Sequence, residues 1–408
     1  MVRFKCPAMP AVILMAMLAI LAGCTDKTNP TGNNWSNVRP ITVEDSLSFD
    51  MGYSFPFNAE VSGNETNLLC GNYDGVEVTA AAHFTALPDS FYVPTAYADS
   101  CYLQLTLVRR SPANRLPVIL SVHSLDQYWQ EDDAGAIQDA NMSVVTASYT
   151  VPDTILATGT DVKIPISPAF LNSLNAANRD SLSLAIKCQQ EGYVEMRSRS
   201  TGRGPLLRFV YKAIDADGET ATDDSEYEVR AGRDSYRVDS DASPLLPNQW
   251  LLRNISPSRM FVRWVDDWNL FKDNAGNVLD EASRKRVTIN RAELVFSAKD
   301  NPYYHSSIGY SMRGDRWDGE PVTTAIELAE EGQATGIITS GYIRGDSVVV
   351  KITPLVQAFV NGDKPNRGVV ILSAQELQNY GILELWHFLN APAGKKPRLR
   401  ITYTPPFL

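Results

Sequence analysis

Two stretches of the sequence hold side chains suited to recognising a sugar. The segment Asn301-Pro-Tyr-Tyr-His-Ser-Ser-Ile-Gly-Tyr-Ser-Met-Arg-Gly-Asp-Arg-Trp-Asp318 gathers Tyr303, Tyr304, His305, Arg313, Asp315 and Trp317. Further on, Glu384 and Trp386 set a carboxylate and an indole two residues apart. A pyranose offers an apolar C–H face that packs on a flat aromatic ring, and hydroxyls that need charged or amide partners. Both components are present here. Five of the seven tryptophans, Trp250, Trp264, Trp268, Trp317 and Trp386, fall in the C-terminal part of the chain. The competing use of segment 301–318 is an ordinary strand and turn covering an interface inside the molecule.

Catalytic chemistry finds less to work with. His83, His123, His305 and His387 are far apart and lack metal-ligand spacing. No Gly-x-Ser-x-Gly elbow, P-loop or dinucleotide fingerprint occurs. Carboxylates are plentiful, but a glycosidase pair has no signature in spacing alone. The expectation is a chain that is not an enzyme and has no cofactor. The run Asp215–Glu226 offers oxygen ligands, but its glycine, Gly218, is at position 4, where a calcium loop needs it at position 6. It reads better as a solvated linker, and structural calcium stays open without an assigned site. Cys70, Cys101 and Cys188 allow at most one bridge. Alanines at the matching positions of the second half favour buried free thiols over a Cys101–Cys188 disulfide.

One cysteine has chemistry of its own. Arg3 and Lys5 precede the apolar run Ala11–Ile20, which is too short to span a bilayer comfortably. Leu21-Ala22-Gly23-Cys24 then matches a bacterial lipoprotein box, in which the Cys24 thiol takes the diacylglycerol. The expected product is exported and lipid-anchored in the cell envelope, and Thr25 rather than Asp after the anchor favours the outer membrane. A formal net charge of -10 with no Lys/Arg cluster excludes nucleic acid as a partner.

The elements that must position these groups are written twice. Pro205-Leu-Leu-Arg-Phe-Val-Tyr211 matches Pro397-Arg-Leu-Arg-Ile-Thr-Tyr403, and Val162–Pro168 matches Val348–Pro354 without a gap. Asn178–Gln189 faces Lys364–Gln375, and after a short insertion in the second copy Tyr193-Val-Glu-Met faces Ile382-Leu-Glu-Leu. Cys101–Leu105 pairs with Ala292–Phe296, and Trp264 with Phe84. Alternating apolar residues in these segments, with Gly, Pro, Asn and Asp between them, predict antiparallel strands. After Pro354, the residues Leu355, Val356, Phe359 and Val360 predict one short helix that Gly362 stops. The chain therefore divides into a lipoprotein signal peptide (1–23), a lipidated cysteine with flexible tether (24–40), a first β-sandwich copy (41–213), an acidic linker (214–226) and a second copy (227–408). The fold class is all-β, two tandem antiparallel sandwiches each with one short helix. Parity sets Trp386 in phase with Glu384 and opposite to Leu383 and Leu385, hence outside the sandwich.

The order of these motifs resembles the DNRLRE-type domain, a jelly-roll relative of carbohydrate-binding modules in exported bacterial proteins. It runs from a Leu-Leu-x-Gly strand through Ala-x-Leu-x-Leu, Val-x-Ile-x-Pro before a helix and Gly-Val-Val-Ile-Leu, to a closing Pro-x-Leu-x-x-x-Tyr. The likeness covers residues ~60–212 and ~245–405. The string that names the family is not intact, and only Arg398-Leu399-Arg400 and Leu206-Leu207-Arg208 echo it. The resemblance implies a jelly roll and polysaccharide binding, and it transfers no binding residue. Two classes of function follow: a polysaccharide-binding lipoprotein whose second copy holds the site and whose first is a spacer, or an assembly lipoprotein whose aromatic face docks an envelope protein.

Overall fold

The computed structural model describes residues 38–406 apart from 46–48, 58–60, 62, 86, 88–96, 112–115, 168, 171–180, 213–222, 224, 241–244, 247, 266–267, 301–311 and 317–340. The signal peptide, Cys24 and most of the tether and linker lie outside these residues. The first strands in the chain are β1 (Ile41–Asp45), β2 (Phe49–Pro56), β3 (Asn67–Tyr73), β4 (Val76–Thr85), β5 (Tyr97–Arg110), β6 (Ile119–Leu125), β7 (Met142–Thr150), β8 (Thr160–Ile166), β9 (Ser181–Cys188), β10 (Gly192–Arg197) and β11 (Leu206–Lys212). They are followed by β12 (Ser225–Arg230), β13 (Arg233–Ser240), β14 (Trp250–Arg253), β15 (Ser258–Trp264), β16 (Thr288–Ser297), β17 (Met312–Arg316), β18 (Gly341–Arg344), β19 (Ser347–Lys351), β20 (Val369–Ser373), β21 (Ile382–Leu385) and β22 (Arg398–Thr404). The protein is mostly β, with three antiparallel sheets, one of them a curled half-barrel.

Alternation decides which side chains meet. In β22, Leu399, Ile401 and Tyr403 are buried while Arg398, Arg400 and Thr402, which alternate with them, are half-buried. Helix α1 (Thr353–Asn361) begins with Pro354 in its first turn and ends at Gly362, whose φ of 78° is the left-handed cap that glycine adopts without strain. Its buried residues are Leu355, Val356, Phe359 and Val360. They close one side of a core held between the five-stranded sheet β1-β22-β16-β19-β18 and the six-stranded sheet that contains β14, β15, β20 and β21. The other core lies within the curled eleven-stranded sheet, lined by residues from β3 to β13, with Ile255, Leu377 and Tyr380 of the second half packed onto it.

The pairing pattern of the first half recurs in the second. β5 pairs with β11 and β8, and β16 pairs with β22 and β19. The run β10-β3-β4-β9-β6 has its counterpart in β21-β14-β15-β20-β17. Leu207 lies opposite Leu103 as Leu399 lies opposite Leu294. Ile166 faces Cys101, and the Ile352 N–H donates to the Ala292 carbonyl at 2.8 Å. One stretch of the sequence match slips. Matching Asn178–Gln189 to Lys364–Gln375 equates Leu184 with Val370, but Leu182, Leu184 and Ile186 line one core whereas Val369 and Ile371 line the other. A shift of one residue reverses the face of every side chain in a strand.

The ends of the two halves are exchanged. β12 and β13 follow the acidic segment, yet they pair with β11 and β4 of the first half. β1 and β2 precede the first half, yet they pair with β22 and β15 of the second. The registers correspond: Glu228 lies opposite Arg208 and Glu44 opposite Arg400, each as an ion pair. Relative to the sequence division at 41–213 and 227–408, these pairings run across it in both directions. Ser225 and Glu226, read as linker, begin β12. Alternation in a strand reports which face is buried and carries no record of which edge the strand joins.

Candidate functional site

β21 points Leu383 and Leu385 into the core and turns Glu384 away from it. Trp386 continues that alternation and is half-buried, outside the core cluster. The backbone there is fixed at a corner where β21 meets the end of β16. Leu385 bridges to Ala298, the Trp386 N–H donates to Ser297 O at 2.9 Å, and the Lys299 N–H donates to Glu384 O at 2.8 Å. Lys299 thereby comes up beside both predicted residues. Its Nζ lies 2.8 Å from Glu384 Oε1 and 5.0 Å from the centre of the Trp386 ring. Gln249 Nε2 donates to the same carboxylate oxygen at 3.4 Å. The corner therefore presents an indole, an ammonium, a carboxylate and an amide, all partly open to solvent. Such a set can stack on an apolar ring face and exchange hydrogen bonds with hydroxyls.

His387 anchors the corner from below. It is buried, its ring centre is 4.7 Å from that of Trp250, and its Nε2 is 3.1 Å from Gly52 O. A carbonyl only accepts, so Nε2 carries the proton and Nδ1 accepts the Leu389 N–H at 3.3 Å. Burial lowers the imidazole pKa, which keeps the ring neutral and consistent with that tautomer.

The other predicted residues do not join this corner. Tyr303, Tyr304, His305 and Trp317 lie outside the described residues. Arg313 and Asp315 are on β17, in register with Leu372 and Val370 of β20. β17 and β21 occupy opposite edges of the six-stranded sheet, with β20, β15 and β14 between them. At about 4.8 Å per strand, their backbones are ~19 Å apart. Cys70, Cys101 and Cys188 are buried free thiols, and burial raises the pKa of each. Among the described residues, no group of His, Cys, Asp and Glu is arranged to hold a metal ion.

Sequence reading found Glu384 and Trp386 through parity, but it missed Lys299 and Gln249. Nothing in their own neighbourhoods marks them, because both are delivered by strand pairing from far along the chain. No family model matches the chain, and no curated protein matches it.

Proposed function

We propose that this chain is a non-catalytic lipoprotein of the bacterial cell envelope, anchored at Cys24 in the outer membrane, that binds polysaccharide at the Trp386 corner. The observation that carries the reading is the partly solvent-open grouping of Trp386, Lys299, Glu384 and Gln249. It supplies an aromatic platform with donors and an acceptor at its rim. In this reading the two halves are variants of one jelly roll, as the resemblance to DNRLRE-type domains implies, with the main core of each half as support. The tether leads directly into β1, which belongs to the second half. In this reading the anchor connects to the second half through β1. The 16 residues 25–40 span at most about 55 Å when fully extended.

Titration of the full chain in detergent against a panel of soluble polysaccharides tests this reading. Trp386→Ala is expected to weaken binding by roughly 1–3 kcal/mol, the usual effect of losing a central aromatic anchor. Unchanged affinity in that variant would remove the corner as the site. A second reading has its own observation. Leu389 and Leu246 are 67% and 65% exposed beside the two sequence segments that form the corner. They would suit an envelope protein docking there, with the chain as an assembly component. Capture of envelope proteins that is lost in Leu389→Ser, with no polysaccharide binding, would favour that second reading.

A further inference from the structure

We infer that β1 and β2 together are a clasp, two strands whose docking in cis closes the second half and holds them beside β22 and β15. One short segment reaches both layers of that half. β1 forms an edge of the five-stranded sheet against β22, and β2 pairs with β15 of the six-stranded sheet. Ile41 and Val43 pack on the core between the layers, and Phe49 is part of it. Phe55 is buried in a separate cluster with Phe261, Val370 and Leu372. Polar contacts set the register: Glu44 pairs with Arg398 and Arg400, Asp50 with Arg263, and Ser54 Oγ accepts the Leu251 N–H at 2.7 Å.

The fit is tightest at Gly52, where an added Cβ would lie 2.6 Å from Trp250 Cζ2. Its carbonyl accepts from His387, so the clasp also supports the Trp386 corner from beneath. In the first half the equivalent places are filled by β12 and β13, which follow β11 in the chain. In the second half the same places are filled by β1 and β2, which precede the first half in the chain. Beyond Phe57, whose N–H donates to Pro257 O at 2.9 Å, the chain crosses to the first half, where Glu65 O accepts from Ser198 Oγ. The clasp is thus joined to the half it completes by hydrogen bonds, ion pairs and packing.

The test uses the full chain in detergent with residues 58–60 replaced by a specific protease site. After cleavage, the fragment containing β1 and β2 is expected to stay in a 1:1 complex through size-exclusion chromatography, and the cut protein to contain no mixed-chain dimers. In the uncut chain, Gly52→Val is expected to speed amide exchange in 258–264 and 398–404 by at least ten-fold, with 101–107 unchanged. Glu44→Lys, which touches no core residue, is expected to speed exchange in 398–404 alone. Release of the wild-type fragment with protection of 258–264 and 398–404 intact would overturn the inference. So would a Gly52→Val chain whose exchange matches wild type, or dimers formed by traded arms.

Discussion

Glu195 and Glu384 occupy the same position in the two halves and meet opposite fates. Each faces away from its core on the strand that pairs with the first hairpin of its half, with Leu69 opposite Glu195 and Leu251 opposite Glu384. Glu195 is 1% exposed and held by Arg109 at 3.0 Å, whereas Glu384 is 24% exposed and held by Lys299. The difference comes from the insertion in the second copy. It forms the turn before β21, and that turn covers the first half. Tyr380 stacks on Tyr193 at 4.6 Å, meets Tyr73 edge-on and directs its N–H to Glu195 at 3.4 Å. Leu377 accepts a hydrogen bond from the Tyr236 hydroxyl beside it. The first copy has no such insertion to return the contact. The two like faces thus differ by one asymmetric turn, which covers the first and leaves the second partly open.

Removing the seal should have the largest effect. Tyr380→Ala empties a fully buried aromatic site and is expected to cost ~3–5 kcal/mol in denaturant unfolding. Tyr380→Phe should cost little or stabilise, because the hydroxyl is buried without a hydrogen-bond partner. Next is the sealed carboxylate. Burial pushes the Glu195 pKa up from 4.5 to about 7, against the lowering pull of Arg109 and the Tyr380 N–H. A pKa raised on folding gives stability that is fully present below about pH 4.5 and is lost as pH rises through 7. The difference of 2.5 units corresponds to a loss of about 3 kcal/mol at most. Unfolding across pH 4–8 should show this slope. Glu195→Gln should remove its part near pH 7, while the part from Asp234, whose pKa burial raises to about 6, persists at lower pH. Glu384→Gln should leave both in place.

A smaller effect separates the faces sterically. A Cβ at Gly71 would lie 2.6 Å from Tyr193 Cβ and 2.8 Å from the Tyr380 hydroxyl, and the matching position in the second half holds Arg253. Gly71→Ala is expected to cost roughly 1–3 kcal/mol through overpacking. The smallest change is at the open face. Trp386→Ala should lower stability by under about 1 kcal/mol, since the ring is half-buried outside the core and its clearest partner is the half-buried Lys299 ammonium. A loss several times larger would mean that Trp386 is structural.

The sequence made individual strands legible and their company less so. The alternation in β22 and the Pro354 and Gly362 signals of α1 are local, and both elements form where those signals stand. Parity alone put Trp386 and Glu384 on the outer side. The exchange of β1 and β2 was invisible because Ile41-Thr-Val-Glu-Asp45 alternates in the same way whichever edge it joins. The acidic residues of β12 suggested solvent, but they answer Arg208. Glu195 and Glu384 could not be told apart within their own strands. The cover over Glu195 arrives from 185 residues away, in a turn whose own sequence gives no sign of its destination.

Amide exchange of the full chain with and without a saturating polysaccharide tests the contrast between the two faces most directly. The account predicts slowed exchange at 297–299 and 384–387, with 193–197 and 377–381 unaffected. Protection confined to the first half, or none at the Trp386 corner when polysaccharide is bound, would contradict it.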